Sequence, residues 1–211
     1  MTNKGYSYSD SLHGMLQDTT PESFKYIHGM IDMHIEQYAS FRKEHTTNVA
    51  AYSYQKNTQD IIDKDVVDSP DIPTCRAGCS FCCMTQAVVT EDEPKLLATC
   101  VKEDKIEIDM DKLKRQAEDR KAGVELRDKP CIMLDDKGMC RVYEYRPINC
   151  RKLLVITEPE LCDHEKYPNG EVGRLVITEP EAISTALMTS IPSGNMSEML
   201  YKELNPNQDG K

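Results

Sequence analysis

The chain has no tryptophan and only three phenylalanines in 211 residues, and aromatic side chains make up 6% of it. An interior built from so few large rings is thin, and crosslinking by a metal would help to hold it together. No apolar run approaches the ~20 residues that span a bilayer, so no membrane partner is expected. Long basic runs are also missing. With a net charge of −10 and no stretch able to track a phosphate backbone, nucleic acid is excluded as a partner class. The opening residues, MTNKGYSYSDSLHGML, contain no apolar segment of the secretory kind, and the expected compartment is the cytoplasm. There is no glycine-rich nucleotide loop, and no Ser or Cys has the His and Asp partners that nucleophilic catalysis needs.

Cysteine is what the chain does have. Four of its nine cysteines fall within nine residues: Cys75, Cys79, Cys82 and Cys83. A second group follows at Cys131, Cys140 and Cys150, with Cys162 twelve residues beyond. In a reducing compartment such thiols are ligands or redox groups rather than disulfides, and an odd total does not close into pairs. Thiolates are soft, charged donors that suit zinc or iron–sulfur centres, and short spacings of this kind recur at such sites. Cys100 is the odd one out. It shares a helical face with Leu96, Leu97 and Val101, as a buried structural thiol does.

Three segments follow from the punctuation: a helical N-terminal appendage over 1–67, a cysteine-cluster core over 74–170 and a helical extension over 171–211. Residues 1–19 read as a loosely held polar arm. Thr20 and Pro21 open a helix whose stripe is Phe24, Ile27, Ile31, Ile35 and Tyr38. His28, His34 and His45 lie in or near it as packing residues, because none forms a tight pair on one face. Ala50, Tyr54, Ile61 and Ile62 mark a second helix over 47–65. Pro70 and Pro73 make the segment from Asp68 a linker.

Within the core, Gly78 frees the backbone to turn round a metal. Val88 and Val89 read as a strand running into a capping box, Thr90-Glu91-Asp92-Glu93. A charged helix over 111–121 is expected at the surface. Asp135-Asp136-Lys137-Gly138 is a hairpin loop between two β-prone runs. Tyr143 and Tyr145 alternate as if extended. Leu154-Val155-Ile156-Thr157-Glu158-Pro159-Glu160 recurs identically from Leu175 to Glu181, and both copies read as strand-to-helix corners with a Thr-x-x-Glu box. The expected fold class is α+β, a small metal-stapled core with short strands and a hairpin, flanked by N-terminal and C-terminal helices.

The pattern Cys-x3-Cys-x2-Cys-Cys, then a strand, Thr-Glu and a helix, then Cys131…Cys140-Arg-x-Tyr-x-x-Arg-Pro-x-x-Cys-Arg, resembles the cysteine-cluster proteins. These are also called CxxCxxCC, after a zinc- or iron-chelating domain, although the first spacing here is three residues rather than two. The resemblance spans about 74–163. It implies metal ligation by Cys75, Cys79, Cys82, Cys83, Cys131, Cys140 and Cys150, with Cys162 as the eighth ligand. Flagellin lysine methylases carry a similar cluster, so the resemblance implies ligands rather than a particular reaction.

Which metal the thiols hold stays open between two choices. Neighbouring Cys82 and Cys83 diverge, which points to two metals or a polynuclear centre, and iron–sulfur is favoured slightly over zinc. A thiol–disulfide relay comes third. Arg141, Arg146 and Arg151 are candidates to hold the cofactor by hydrogen bonds to sulfur, as is Arg76. The alternative for Arg141 and Arg146 is pairing with Glu144 or other acids. His164 beside Cys162 reads as a loop histidine. A radical-SAM enzyme shares the Cys75, Cys79, Cys82 spacing, but the residues after it carry no alternation of strands and helices for the barrel it needs. The reading is a metal-binding protein, either an iron–sulfur or iron-dependent oxidoreductase or modification enzyme, or a zinc-stabilised binding module without chemistry. Its partner, a small molecule or a protein, is not legible.

Overall fold

The computed structural model describes residues 5–124 and 129–206. Among them are eight α-helices and four short strands, an α+β fold in which helices dominate. The first four residues of the expected arm and the tail beyond residue 206 lie outside the described residues.

The arm is in part a helix. Helix α1 (Asp10–Gln17) begins where the Ser9 hydroxyl accepts from the Leu12 N–H at 3.2 Å, and Leu12 is fully buried. Eight residues are too few to hold a helix in water, so its order comes from packing against the rest of the chain. Helix α2 (Pro21–Glu44) starts as expected, with the Thr20 hydroxyl accepting from Ser23 N–H and proline in the first turn. It buries Ile27, Ile31, His34 and Tyr38. Helix α3 (Thr47–Asp68), capped by Thr46, buries Ala50, Ala51, Tyr54 and Ile62 together with two polar side chains, Gln55 and Thr58.

Strand β1 (Val88–Thr90) leads into helix α4 (Asp92–Glu103), whose inner face carries Leu96, Leu97, Cys100 and Val101. Helix α5 (Met110–Lys121) exposes Lys114 and Lys121 but is not a mere surface helix. It buries Leu113, Gln116, Ala117 and Asp119, and it packs along helix α8 (Met196–Leu204). A single turn of helix, α6 (Ile148–Arg151), precedes strand β2 (Leu154–Val155). Strand β3 (Arg174–Leu175) runs into α7 (Thr178–Ser190), and β4 (Ser193–Asn195) joins α7 to α8.

The sheets are two antiparallel pairs, β1 with β4 and β2 with β3. In the second pair Leu154 faces Leu175, so the two copies of the seven-residue repeat meet at their first residues. Beyond that point the copies part. The second opens α7, whereas the first opens only a 3-10 turn, Pro159–Cys162. Neither builds a capping box. Glu181 turns inward instead, accepting from Lys152 Nζ at 2.6 Å and from the Ser9 hydroxyl. A carboxylate so buried needs those partners more than the helix end needs a cap.

Two apolar clusters hold the molecule. One joins α1, α2, α3 and α7 through Leu12, Ile31, Tyr38, Ala50, Ile183 and Leu187, and takes in Ile148 from α6. The other joins β1, α4, α5 and α8 with Ile132, Met133 and Val142. A buried polar clamp ties α2 to α4: Asp92 accepts from the Tyr38 hydroxyl at 2.6 Å and from Arg42 Nε at 2.8 Å. Cys100 is buried beside Ala51 and Leu96, as a structural thiol. Among the described residues no helix is long and apolar enough to cross a membrane.

Candidate metal centre

The first cysteine loop is pinned at its start. Thr74 donates from its backbone N–H to the Val155 carbonyl at 2.8 Å, and its hydroxyl reaches the Thr157 carbonyl at 2.5 Å. A tight turn follows, with Cys79 N–H on the Arg76 carbonyl and Gly78 at φ +80°. Only glycine takes that conformation without strain. Residues Phe81–Met84 then coil into a 3-10 turn that carries Cys82 and Cys83.

Three other stretches close on this loop. The hairpin after Cys131 is a short one, bridged between Leu134 and Cys140, with Asp135 Oδ1 accepting from Lys137 and Met139 N–H groups. Its tip residue Gly138 sits at φ +76°, where a Cβ would come within 3.1 Å of the Gly78 carbonyl oxygen. Cys131 donates its N–H to the Cys83 carbonyl at 2.8 Å. The Pro159–Cys162 turn packs on the Phe81–Met84 turn, and Arg76 reaches Glu160 at 2.7 Å. The third stretch is α6, which carries Cys150.

What positions α6 is a carboxylate that sequence reasoning assigned to a helix cap. Glu93 is buried, and one of its oxygens accepts the Ile148 N–H at 2.8 Å, the first N–H of α6. The other accepts both the N–H and the hydroxyl of Thr90, at 2.8 and 3.0 Å. Burial pushes its carboxyl upward against those hydrogen bonds. The sequence signal for Glu93 was the Thr-x-x-Glu spacing, and nothing in that spacing says the carboxylate serves a second chain segment.

The arginines divide by role. Arg151 is buried and gives its guanidinium to the Arg146 carbonyl at 2.8 Å, the Glu144 carbonyl and Gln59 Oε1 at 3.2 Å. Arg141 donates to the carbonyls of Glu107 at 2.6 Å and Ile132. Both act as rivets on backbone oxygen. Arg146 lies over the Tyr143 ring at 4.1 Å and touches Gln59, and its charge favours the thiolates of Cys82 and Cys140. Tyr143 and Tyr145 are not extended, since they form a 3-10 turn whose Glu144 carbonyl accepts from Arg151. Gln59, from α3, was invisible as a site neighbour in the sequence.

The electrostatics place all eight thiols in one neighbourhood. The Cys83 thiol donates to Cys82, and that hydrogen bond, with Arg146 helping, draws Cys82 down to about 7. The same bond pushes Cys83 up, as do Cys131 and Cys150. Burial pushes Cys131 to about 11 and Cys150 higher still. Cys140 is raised by burial too. Cys162 and Cys79 are raised first by burial; Cys79 and Cys75 also act on Cys162, and Cys75 on Cys79. Cys75 and Cys82 are exposed, and the other six are half-buried. His164 is exposed. Among the described residues no three His, Cys, Asp or Glu side chains stand as a ready-made metal site, so the fold gathers the thiols without closing them. The donor set fits a soft metal, because every gathered group is sulfur and cations and backbone N–H groups stand beside it.

Residues 74–167 match the model of the CxxCxxCC family, described as "Putative zinc- or iron-chelating domain". No curated protein matches the chain, and no solved structure does.

Proposed function

We propose that residues 74–167 chelate metal through the thiolates of Cys75, Cys79, Cys82, Cys83, Cys131, Cys140, Cys150 and Cys162. One observation carries this reading: the stretches that bear these cysteines converge, with the Cys131 N–H on the Cys83 carbonyl, the Pro159–Cys162 turn packed on the Phe81–Met84 turn, and Cys150 near enough for Cys131 and Cys82 to raise it after burial. The zinc- or iron-chelating description of the matching family supports it.

Iron–sulfur is the favoured occupant. Three thiols in one eight-residue loop, Cys75-x3-Cys79-x2-Cys82, with a fourth from a distant segment, is how iron–sulfur loops collect ligands. When bound, such a cluster supplies one-electron transfer, and the protein then serves as an oxidoreductase or modification enzyme. Arg146 and Arg76 stand where they offset thiolate charge. Zinc is the second reading, favoured by the same Cys-x2-Cys and Cys-x3-Cys spacings, and it makes the domain a closed binding module without chemistry. The proposed compartment is the cytoplasm, where thiols stay reduced.

The test is elemental analysis with a visible spectrum on protein purified without oxygen. Iron with acid-labile sulfide and broad visible absorption supports the first reading. Zinc with no visible band supports the second. Protein that holds neither, even after anaerobic reconstitution, overturns both.

A further inference from the structure

We infer that the free edge of β3, with a cleft towards each end, docks an extended peptide of a partner protein that carries a basic side chain towards Asp65, Asp68 and Glu179. The inference goes beyond the chelation reading and does not depend on it.

Strand β3 opens the second copy of the heptapeptide, and the two copies differ in how their edges are covered. In the first copy, β2 has a neighbour on both sides. One is β3; the other is Thr74, whose N–H donates to the Val155 carbonyl at 2.8 Å. Strand β3 is covered by a strand on one side only. The Ile156 N–H donates to the Gly173 carbonyl at 3.0 Å, and Leu154 faces Leu175. Main-chain groups alternate in direction along an antiparallel ladder. Gly173 and Leu175 therefore turn theirs to the first copy, while Arg174 and Val176 turn theirs outward. Among the described residues nothing hydrogen-bonds the main chain of Arg174 or Val176. The backbone is still extended at Ile177, with φ −99° and ψ 123°. An unpaired edge of this kind is a template for another strand.

Leu175 and Val176 also line two clefts. The smaller, of about 290 Å³, includes Arg174 and is lined as well by Tyr8 and Met188. The larger, of about 680 Å³, includes Ile177 and is lined by Ile27 and Met30 of α2. An added strand sends alternate side chains to opposite faces, so its backbone and its side chains both find partners here. Charge selects the occupant. Asp65, Asp68 and Glu179 line the larger cleft, and among the described residues no lysine or arginine does. Asp65 and Asp68 occupy the last turn of α3, which holds no basic residue. The negative end of the helix dipole disfavours acids there. Their charge works against the helix and suits a cation brought from outside.

Random heptapeptides displayed on phage, selected against the full chain, are the probe. Selected sequences should combine a lysine or arginine with alternating apolar residues. Fluorescence anisotropy on one such synthetic peptide should show binding that weakens with salt. Affinity should fall about tenfold in the double variant Asp65→Asn, Asp68→Asn. That variant removes two acids from a helix C-terminus and should fold at least as well as the parent. Val176→Pro, which deletes an outward N–H, should weaken binding too. N-methylation of alternate peptide residues should abolish binding in one register and spare it in the other, because only every second N–H of an added strand faces its neighbour. No enrichment over bare support, selected peptides without a basic residue, unchanged affinity in the aspartate variant, or equal loss in both methylation registers overturns the inference. A dimer of this chain in analytical ultracentrifugation that Val176→Pro dissolves, with no peptide selected, gives the edge to a second copy and overturns it as well.

Discussion

The helical layer and the cysteine loops are held by different forces. In the layer, α2 lies along α7, and side chains such as Ile31, Tyr38, Ile183 and Leu187 are shut away from water altogether. In the loops the buried apolar side chains are few, Ile132, Met133, Val142 and Ile148 among them, and regular structure shrinks to single turns and two-residue strands. Order there comes from polar side chains gripping backbone: Thr74 on Val155, Glu93 on Ile148, Arg151 on Glu144 and Arg146. Packing scales with apolar area and tolerates rearrangement, whereas a hydrogen-bond grip fails when one partner goes. The comparison therefore predicts that damage in one region should leave a different signature from damage in the other.

The largest effect belongs to the layer. Leu187→Ala removes a fully buried side chain and should cost about 2–5 kcal/mol in denaturant unfolding. Zinc stoichiometry of the folded fraction should not change. A variant that loses its metal while remaining folded would show that the two regions are not separable.

Glu93→Ala comes next. It leaves the Ile148 N–H buried without an acceptor, at about 1–3 kcal/mol. Because α6 carries Cys150, zinc affinity should also fall, by about 10–100-fold. Glu93→Gln keeps an acceptor oxygen and should recover most of the affinity. Equal loss in both variants would mean that the charge matters and not the grip.

Alkaline pH should weaken the metal-free protein through its thiols. Cys100 and Cys131 are held up at about 11 by burial, against an ordinary thiol value near 9. The folded chain keeps protons that the unfolded chain releases, so this stability is complete below about pH 9 and drains away towards about pH 11. Urea midpoints measured across that window should decline, and zinc should flatten the decline by holding Cys131 as thiolate. A flat profile without metal would contradict the burial assigned to these thiols.

The smallest effect is local. Arg146→Gln removes a charge that favours thiolate at Cys82 and Cys140, but the chief cause of the low Cys82 value is the Cys83 thiol. The alkylation-rate profile of Cys82 should move to slightly higher pH in Arg146→Gln, and further in Cys83→Ala. The reverse order would make the guanidinium the main influence.

How much of this was legible without coordinates differs by region. Helices α2, α3 and α4 could be read from stripe and cap, because Thr20, Pro21 and the Leu96-Leu97-Cys100-Val101 face are local signals. The turn at Gly78 and the hairpin at Gly138 were legible for the same reason. Leu12 was not, since a short polar helix gains its order from a partner distant in sequence. Glu93 does accept the Thr90 N–H as the capping-box spacing implies, but Glu181 makes no cap. The box spacing is local, but both carboxylates answer to groups distant in sequence, at Ile148 and Lys152. Tyr143 and Tyr145 looked extended because alternation resembles a strand when only three residues are in view.

The sequence by itself determined the chemistry of the candidate centre: eight thiols in two groups, soft donors, glycines where the backbone must turn. Those are properties of residue type and near spacing, which survive in the unfolded chain. Tertiary structure alone decided which thiols become neighbours, which arginines face sulfur and which grip carbonyls, and that the two copies of one heptapeptide pair at Leu154 and Leu175. Such contacts join positions tens of residues apart, and only the folded backbone fixes which of many equivalent donors and acceptors finds which.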